Sequence, residues 1–512
     1  MSEHLFVTFV IGIFTLLLAL WYSMRKQSYW KQRKIPYVKP IPFIGSLYEN
    51  MITPIMELEL KRHFALGSVY GHYEANRPLI SIADPQLLRD IFVKDFVHFV
   101  NRRPFKSGDK ISDKMISILE GDEWKKVRSI ISPTFSTGKL KRVMSIFKDC
   151  SKTLIQNFRI AALKNEPVNA KRFFGAFTMD VIASSAFSTK IDSHNDPENE
   201  FVQAARRAFT PKFNWRLILF LISPKILKLL NISLADPSVN GFFSNVTTQI
   251  IEQRKRTKQK RNDFLQLLID AAEEENDDMG PNYQNVFTND DSHKSLTMNE
   301  VIAQCIIFFL AGYDTTASAL SFSSYLLAIH QEVQEKARQE IIYFLDNDGV
   351  LTYESLNKMK YLDNIISETL RIYPPAVRTE RKVESEYELG DTGIILEKDM
   401  IVTVPIYALH HDPKYFPDPE KFDPDRFSPE ERKKRDSYSY LPFGHGPRNC
   451  IGMRFALMEI KVCLVYIISS FNINTCHHTK IPIQFRPNAF GLLQPQEIFL
   501  SFELRDDSPL QI

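Results

Sequence analysis

Cysteine is scarce and unpaired: five in 512 residues, at Cys150, Cys305, Cys450, Cys463 and Cys476, an odd number without the spacing of a disulfide framework. The main body is therefore expected in a reducing compartment. Charge carries little message either, because 64 Lys+Arg against 61 Asp+Glu leave a net +3, too small to argue for nucleic acid. Histidine offers no metal site: His410-His411 and His477-His478 are adjacent pairs in segments that read as polar loops, lacking a carboxylate or cysteine at ligand spacing. Gly444-x-Gly446 is no dinucleotide fingerprint, since no strand and roughly 30-residue βαβ unit surround it, so no flavin or nicotinamide domain is expected. No internal repeat is evident.

Leu5 to Tyr22 is a long apolar run, just sufficient to cross a bilayer. Arg25, Lys26, Lys31, Arg33 and Lys34 follow it, which places the C-terminal side in the cytosol by the positive-inside rule. Bulky Trp21 and Tyr22 close the run where a cleavage site would need small residues, so an uncleaved signal anchor is expected. Prolines 36, 40 and 42 then prescribe an extended, fairly stiff connector. The division is an anchor over 1–24, a basic and proline-rich hinge over 25–49, and one catalytic domain over 50–512.

Apolar spacing of three and four makes residues 50–345 mostly helical. Phe213 to Leu221 is apolar enough to dip into a membrane surface, and the polar run 273–295 reads as a solvated loop. Thr297-Met298-Asn299-Glu300 fits a capping box opening a long helix that ends near Ile329. Ile394–Leu396 and Met400–Pro405 alternate like a hairpin turning at Glu397-Lys398-Asp399.

The richest stretch is Phe443-Gly444-His445-Gly446-Pro447-Arg448-Asn449-Cys450-Ile451-Gly452, which runs into a helical segment, Met453 to Ser470. A single thiolate suits the axial position of a haem iron, where it favours O–O cleavage. The glycines admit a flat cofactor, Phe443 can shield the sulfur, and helix N–H groups lower a thiol's pKa. Arg448 suits a haem carboxylate. This stretch resembles the cysteine-ligand loop of the cytochromes P450, with every position of that motif present.

The resemblance extends along the chain. Ala311-Gly312-Tyr313-Asp314-Thr315-Thr316 is similar to the oxygen-activation motif of the long helix, with aspartate where many relatives carry glutamate. It implies that Thr315 and Asp314 deliver protons, while Gly312 removes a side chain where something flat passes. Glu368-x-x-Arg371 with Arg426 resembles the structural glutamate-arginine-arginine set. Trp124-x-x-x-Arg128 resembles a motif that reaches a haem propionate, and Arg102 and Arg381 match propionate partners in the drug- and steroid-oxidising microsomal branch. That branch further implies a distal pocket of Ser117, Ile118, Ile307, Leu310, Ala311, Ala376, Val377 and Leu492, apolar apart from the serine.

A P450 fold follows as the expectation: mainly α with a small β portion, holding haem b on Cys450. The implied activity inserts one oxygen atom of O2 into lipophilic substrates such as xenobiotics, steroids or fatty acids. Electrons would come from NADPH through NADPH–P450 reductase in the endoplasmic reticulum membrane, with cytochrome b5 as an accessory donor. Lys125, Lys126, Lys139, Lys141, Arg142, Arg432, Lys433, Lys434 and Lys461 are the candidate docking residues. The rival enzyme class is a haem-thiolate isomerase or dehydratase acting on peroxides without reductase.

Overall fold

The computed structural model describes residues 2–103, 107–196, 198–209, 237–261, 263–270, 296–345, 349–486 and 491–510. The Phe213–Leu221 segment and the polar run 273–295 lie outside the described residues. Helices make most of the chain, as the periodicity requires, with a small sheet-rich portion.

Helix α1 (Ser2–Lys26) carries its apolar residues outward, from Leu5 to Tyr22. Its C-terminal end is fixed. Ser23, fully buried, donates to Asn76 Oδ1 at 2.7 Å and accepts from the Phe43 N–H at 2.7 Å. Gln27 donates to the carbonyls of Ile41 and Ala75 at 2.9 and 3.1 Å. Trp30 fills the space that a side chain at Gly71 would need. The proline-rich connector, expected to be extended and fairly stiff, lies along strand β1 (Val69–Glu74), with Gly71 donating to the Pro36 carbonyl at 2.8 Å and accepting from Val38 at 2.9 Å. Proline removes donors, but the carbonyls and the remaining N–H groups still find partners on an open strand edge.

The main sheet runs β1, β2 (Arg77–Ile82), β7 (Ile401–Val404), β4 (Thr379–Lys382), with β2 and β7 parallel and the outer pairs antiparallel. The expected hairpin around Glu397-Lys398-Asp399 does not form. All four residues of β7 are buried, so the strand takes a central place between β2 and β4. The partner expected for it, β6 (Ile395–Leu396), pairs with β5 (Tyr387–Glu388) in a separate ribbon. A second sheet joins β3 (Val168–Asn169), β9 (Phe499–Leu504) and β8 (Phe471–Asn474).

Short α2 (Leu47–Ile52) and α3 (Ile55–Leu66) precede the sheet. Then come α4 (Gly121–Ile131), α5 (Thr137–Leu163), α6 (Ala170–Phe187) and α7 (Pro237–Thr257). The spine is α8 (Met298–Ile329), 32 residues and about 48 Å long. The Thr297/Glu300 capping box is complete at its start, and it stops at His330 as expected. Gly312 also serves the packing: a Cβ there would sit 2.7 Å from Ile182 Cδ1, so the glycine lets α6 approach α8. Helices α9 (Gln331–Phe344), α10 (Lys360–Ile372), α11 (Ile406–His410) and α12 (Met453–Ser470) complete the described core.

Glu368, Arg371 and Arg426 do assemble. Arg371 and Glu368 are fully buried and bidentate, at 2.7 and 2.8 Å, and Arg426 Nε lies 3.4 Å from Glu368. Arg371 also donates to the carbonyls of His410 and Lys421. His410 and His411, read from sequence as loop residues, are instead buried at the end of α11. His410 Nδ1 meets the Arg371 carbonyl at 3.2 Å, and its Nε2 accepts from the Leu441 N–H at 2.8 Å. Burial and neighbouring Arg371 push His410 far below the ordinary histidine range, so it acts as a neutral pin between α10 and the loop leading to Cys450. Removing one member of a buried ion pair leaves an uncompensated charge. Glu368→Ala should therefore cost about 3–5 kcal/mol of folding free energy by denaturant titration; a loss below about 1 kcal/mol, the value of an exposed pair, would contradict this role.

Candidate haem site

The cysteine loop is held from several directions. The Cys450 N–H donates to the Phe443 carbonyl at 2.8 Å, and Asn449 N–H to Gly446 at 3.0 Å. Gly446 adopts φ +75°, and a Cβ there would run into the Phe92 carbonyl, so glycine is the only residue this close approach admits. His445 packs on Tyr438 and accepts from the Gly446 N–H through Nδ1.

Cys450 presents its sulfur to a cavity of about 1170 Å³ deep in the protein. Burial pushes its thiol up, while the N–H groups of Gly452 and Met453 at the start of α12 and the guanidiniums of Arg102 and Arg128 pull it down. Small-molecule sites usually measure about 300–1,000 Å³. This cavity exceeds that range, so it has room for more than one small ligand.

Four arginines converge on it. Arg102 donates to the Arg448 carbonyl at 3.0 Å, and Arg128 to the Asn449 carbonyl and Oδ1 at 3.0 and 2.8 Å. Arg448 donates to the Leu119 carbonyl and lies 4.5 Å over the Trp124 ring. Trp124, expected to reach a propionate, thus carries Arg448 on its face. Arg381, 1% exposed, donates to the Glu380 carbonyl at 2.8 Å and lies over Phe92. The Nε atoms of Arg102, Arg381 and Arg448 are buried without a hydrogen-bond partner. Burial and mutual repulsion drive Arg381 well below its usual range and Arg448 down to about 9. Buried cations crowded together are costly unless an anion joins them. A flat dianion coordinated by the facing thiolate meets that need, and the two carboxylates of haem are such a dianion.

On the opposite wall Ile307, Ala311, Gly312, Thr315 and Thr316 of α8 border the cavity. Thr315 donates to the Ala311 carbonyl at 2.7 Å and the helix continues through it. Asp314 turns away: its buried carboxylate pairs with Lys171 of α6 at 2.8 Å, and Lys171 also reaches the Asp314 carbonyl and Ser318. Nothing in the sequence singles out Lys171, because a lone lysine is ordinarily a surface residue.

The fold now decides the family. The chain belongs to the cytochrome P450 family. That family's model matches residues 35–502, and the chain is 39% identical to cytochrome P450 3A13 of Mus musculus over 98% of this chain and 97% of that one. Cytochrome P450 3A9 of Rattus norvegicus matches at 38% and cytochrome P450 3A7 of Homo sapiens at 39%, each over 98% of this chain and 97% of the relative. The protein is a haem-containing monooxygenase whose cofactor is haem b.

Of the pocket residues expected for this P450, Ser117, Ile307, Ala311, Ala376 and Leu492 line the cavity. Val377 is fully buried in the core, and Ile118 and Leu310 pack on a neighbouring apolar cluster. The wall is also more polar than anticipated. Glu74, Arg103, Arg378 and Glu380 border the cavity in a shared ion-pair network, Arg103 Nε reaching Glu380 at 2.6 Å and Arg378 reaching Glu59 at 3.4 Å. Burial pushes the Glu59 carboxyl up to about 7. The alternation Arg378-x-Glu380 was a signal that sequence reading passed over. In the candidate docking set, Lys461 drops out: it is buried against Asp363 at 2.6 Å.

Arg381→Leu removes one crowded cation without opening a large void. In protein expressed without haem precursor it should raise the denaturation midpoint, yet haem-supplied protein should retain several-fold less haem by pyridine haemochrome assay. Unchanged haem content would contradict the propionate assignment.

Proposed function

We propose that this P450 oxidises lipophilic substrates of the xenobiotic and steroid class, using electrons from NADPH–P450 reductase at the cytosolic face of the endoplasmic reticulum membrane. The observation that carries it is one cavity-lining thiol together with a ring of arginines that, among the described residues, form no ion pair with a carboxylate, beneath a largely apolar wall. Cys450 would hold the haem iron through its sulfur. Arg102, Arg128, Arg381 and Arg448 would hold its propionates, and Phe443 lines the same cavity. When bound, haem supplies reductive activation of O2, so that one oxygen atom enters a C–H bond and the other leaves as water at a cost of two electrons and two protons.

The chain's own residues govern orientation and protons. Ile307, Ala311, Ala376 and Leu492 exclude water and orient an apolar substrate over the reacting face. The Arg103–Glu380–Arg378–Glu74 network forms a polar wall whose charges cancel internally. Thr315 holds a hydroxyl at the cavity surface where protons are needed. Asp314 replenishes that hydroxyl from behind the helix, once its carboxylate leaves Lys171.

Electrons enter from the cysteine side, where exposed Lys125, Lys141, Arg142, Arg432, Lys433 and Lys434, with half-buried Lys126 and Lys139, make the docking face for an acidic reductase surface; cytochrome b5 is a second donor for that face. α1 anchors the chain, and the basic residues after it keep the catalytic domain on the cytosolic side.

The direct test is oxidation of a steroid and a neutral xenobiotic by membranes containing this protein, purified reductase and NADPH. Hydroxylated products formed only with both reductase and O2 are expected. Rearrangement of hydroperoxides without reductase, and no NADPH-linked product, would overturn the reading. Thr315→Ala should leave the haem spectrum intact while product formed per NADPH consumed falls by roughly tenfold or more, with peroxide released instead. Thr315→Ser should restore coupling; wild-type coupling in the alanine variant would reject the proton-holding role.

A further inference from the structure

Gln304 of α8 is fully buried, and both ends of its side-chain amide are engaged. Its Oε1 accepts from the Ile116 N–H at 2.9 Å. Its Nε2 donates to the Lys114 carbonyl at 2.8 Å and to the Glu300 carbonyl, one turn back, at 3.1 Å. The bonds to Ile116 and Lys114 cross 188 and 190 positions of the chain. A buried amide left unpaired is costly, so this one is satisfied only when residues 114–116 stand in a single register against α8. An apolar side chain of the same size would fill the space without dictating that register.

The register matters at the catalytic cavity. Ile116 and Ser117 border it on the segment, and Ile307, Phe308 and Ala311 border it on α8, three, four and seven positions after Gln304 and so on the same helix face. Other ties fix the two ends of the segment. Ahead of the amide, Asp113 accepts from the Ser107 hydroxyl at 2.9 Å, and Asn240 of α7 donates to Ser112 Oγ at 2.6 Å. Behind it, the Leu119 carbonyl accepts from Arg448. Gln304 holds the middle, where the cavity-lining side chains are.

We propose that Gln304 is a positioning residue for specificity: its amide sets where Ile116 and Ser117 stand relative to the α8 wall, and so which C–H bond of a lipophilic substrate rests over the reacting face. The amide acts through the backbone of Lys114 and Ile116, not by touching substrate. This rests on the oxidation reading above and deepens it. Gln334 of α9 supplies the comparison. It too is fully buried, accepting from the Ile473 N–H at 2.8 Å and donating to the Leu327 and Ile473 carbonyls at 3.0 Å each, but it ties α8 and α9 to strand β8 and is not a cavity-lining residue.

Gln304→Met and Gln334→Met each keep side-chain length and remove one such amide. Both are made in the full-length, haem-loaded protein and compared with the parent at equal haem content. In Gln304→Met, peptides covering residues 112–119 should exchange backbone hydrogens about tenfold faster by mass spectrometry. The ratio of major to minor hydroxylation products of a steroid with several oxidisable positions should fall several-fold, and the steroid concentration that half-completes the haem spin-state shift should rise. Gln334→Met should leave all three at parental values. An unchanged product ratio in Gln304→Met, or an equal change in both variants, would overturn the proposal. Gln304→Glu keeps the acceptor for Ile116 but faces two carbonyls with a carboxyl group; it should also shift the ratio, and decides the matter where the methionine variant takes up no haem. Absence of any steroid product from the parent with reductase and NADPH would bring down the oxidation reading, leaving the exchange and spin-state readouts to judge the role of Gln304.

Discussion

Everything around the catalytic centre follows from one electrostatic constraint: four guanidiniums converge on the cavity of a single thiol, and among the described residues no carboxylate forms an ion pair with them. Arg102 and Arg128 spend part of their donor capacity on the Arg448 and Asn449 carbonyls, bracing the loop that carries Cys450. Arg381 and Arg448 rest on Phe92 and Trp124, and three Nε atoms remain without hydrogen-bond partners. Such an arrangement is unfavourable for the empty protein and favourable once a flat dianion enters, so cofactor binding and local stability are coupled. The contrast with Glu368 and Arg371 is informative. There the chain supplies both charges, and the pair serves the scaffold alone.

The cysteine loop was legible in the sequence because its constraints are local. Glycine at a positive φ, a helix beginning three residues after the cysteine, and an arginine two residues before it are all set by neighbours in the chain. The long helix was legible for the same reason, since its capping box and terminus depend on a few adjacent residues. Less legible were features in which partners meet through the fold. Asp314 was legible as an acid beside Thr315, but the pairing of its carboxylate with Lys171, 143 positions away, was not. His410 looked like a loop residue until Arg371 and Leu441 closed around it. The hairpin expected at residues 394–405 failed because β7, buried throughout, needs strands on both edges, and alternation alone does not reveal which strands those are.

The connector after α1 shows the same limit from another side. Proline density marks an extended segment, and extended it is, but whether such a segment stands free or lies down on a strand edge depends on what that edge offers. Here Gly71 leaves room for Trp30, and Ser23 and Gln27 lock the end of α1 to the loops at the edge of the sheet.

The central claim is that Cys450 binds haem iron through sulfur. The reduced, carbon monoxide-bound spectrum of the purified protein tests it most directly. The strongly red-shifted Soret band of a thiolate-ligated haem is the predicted result. A band typical of histidine ligation, or no haem absorption after expression with ample haem precursor, would contradict it.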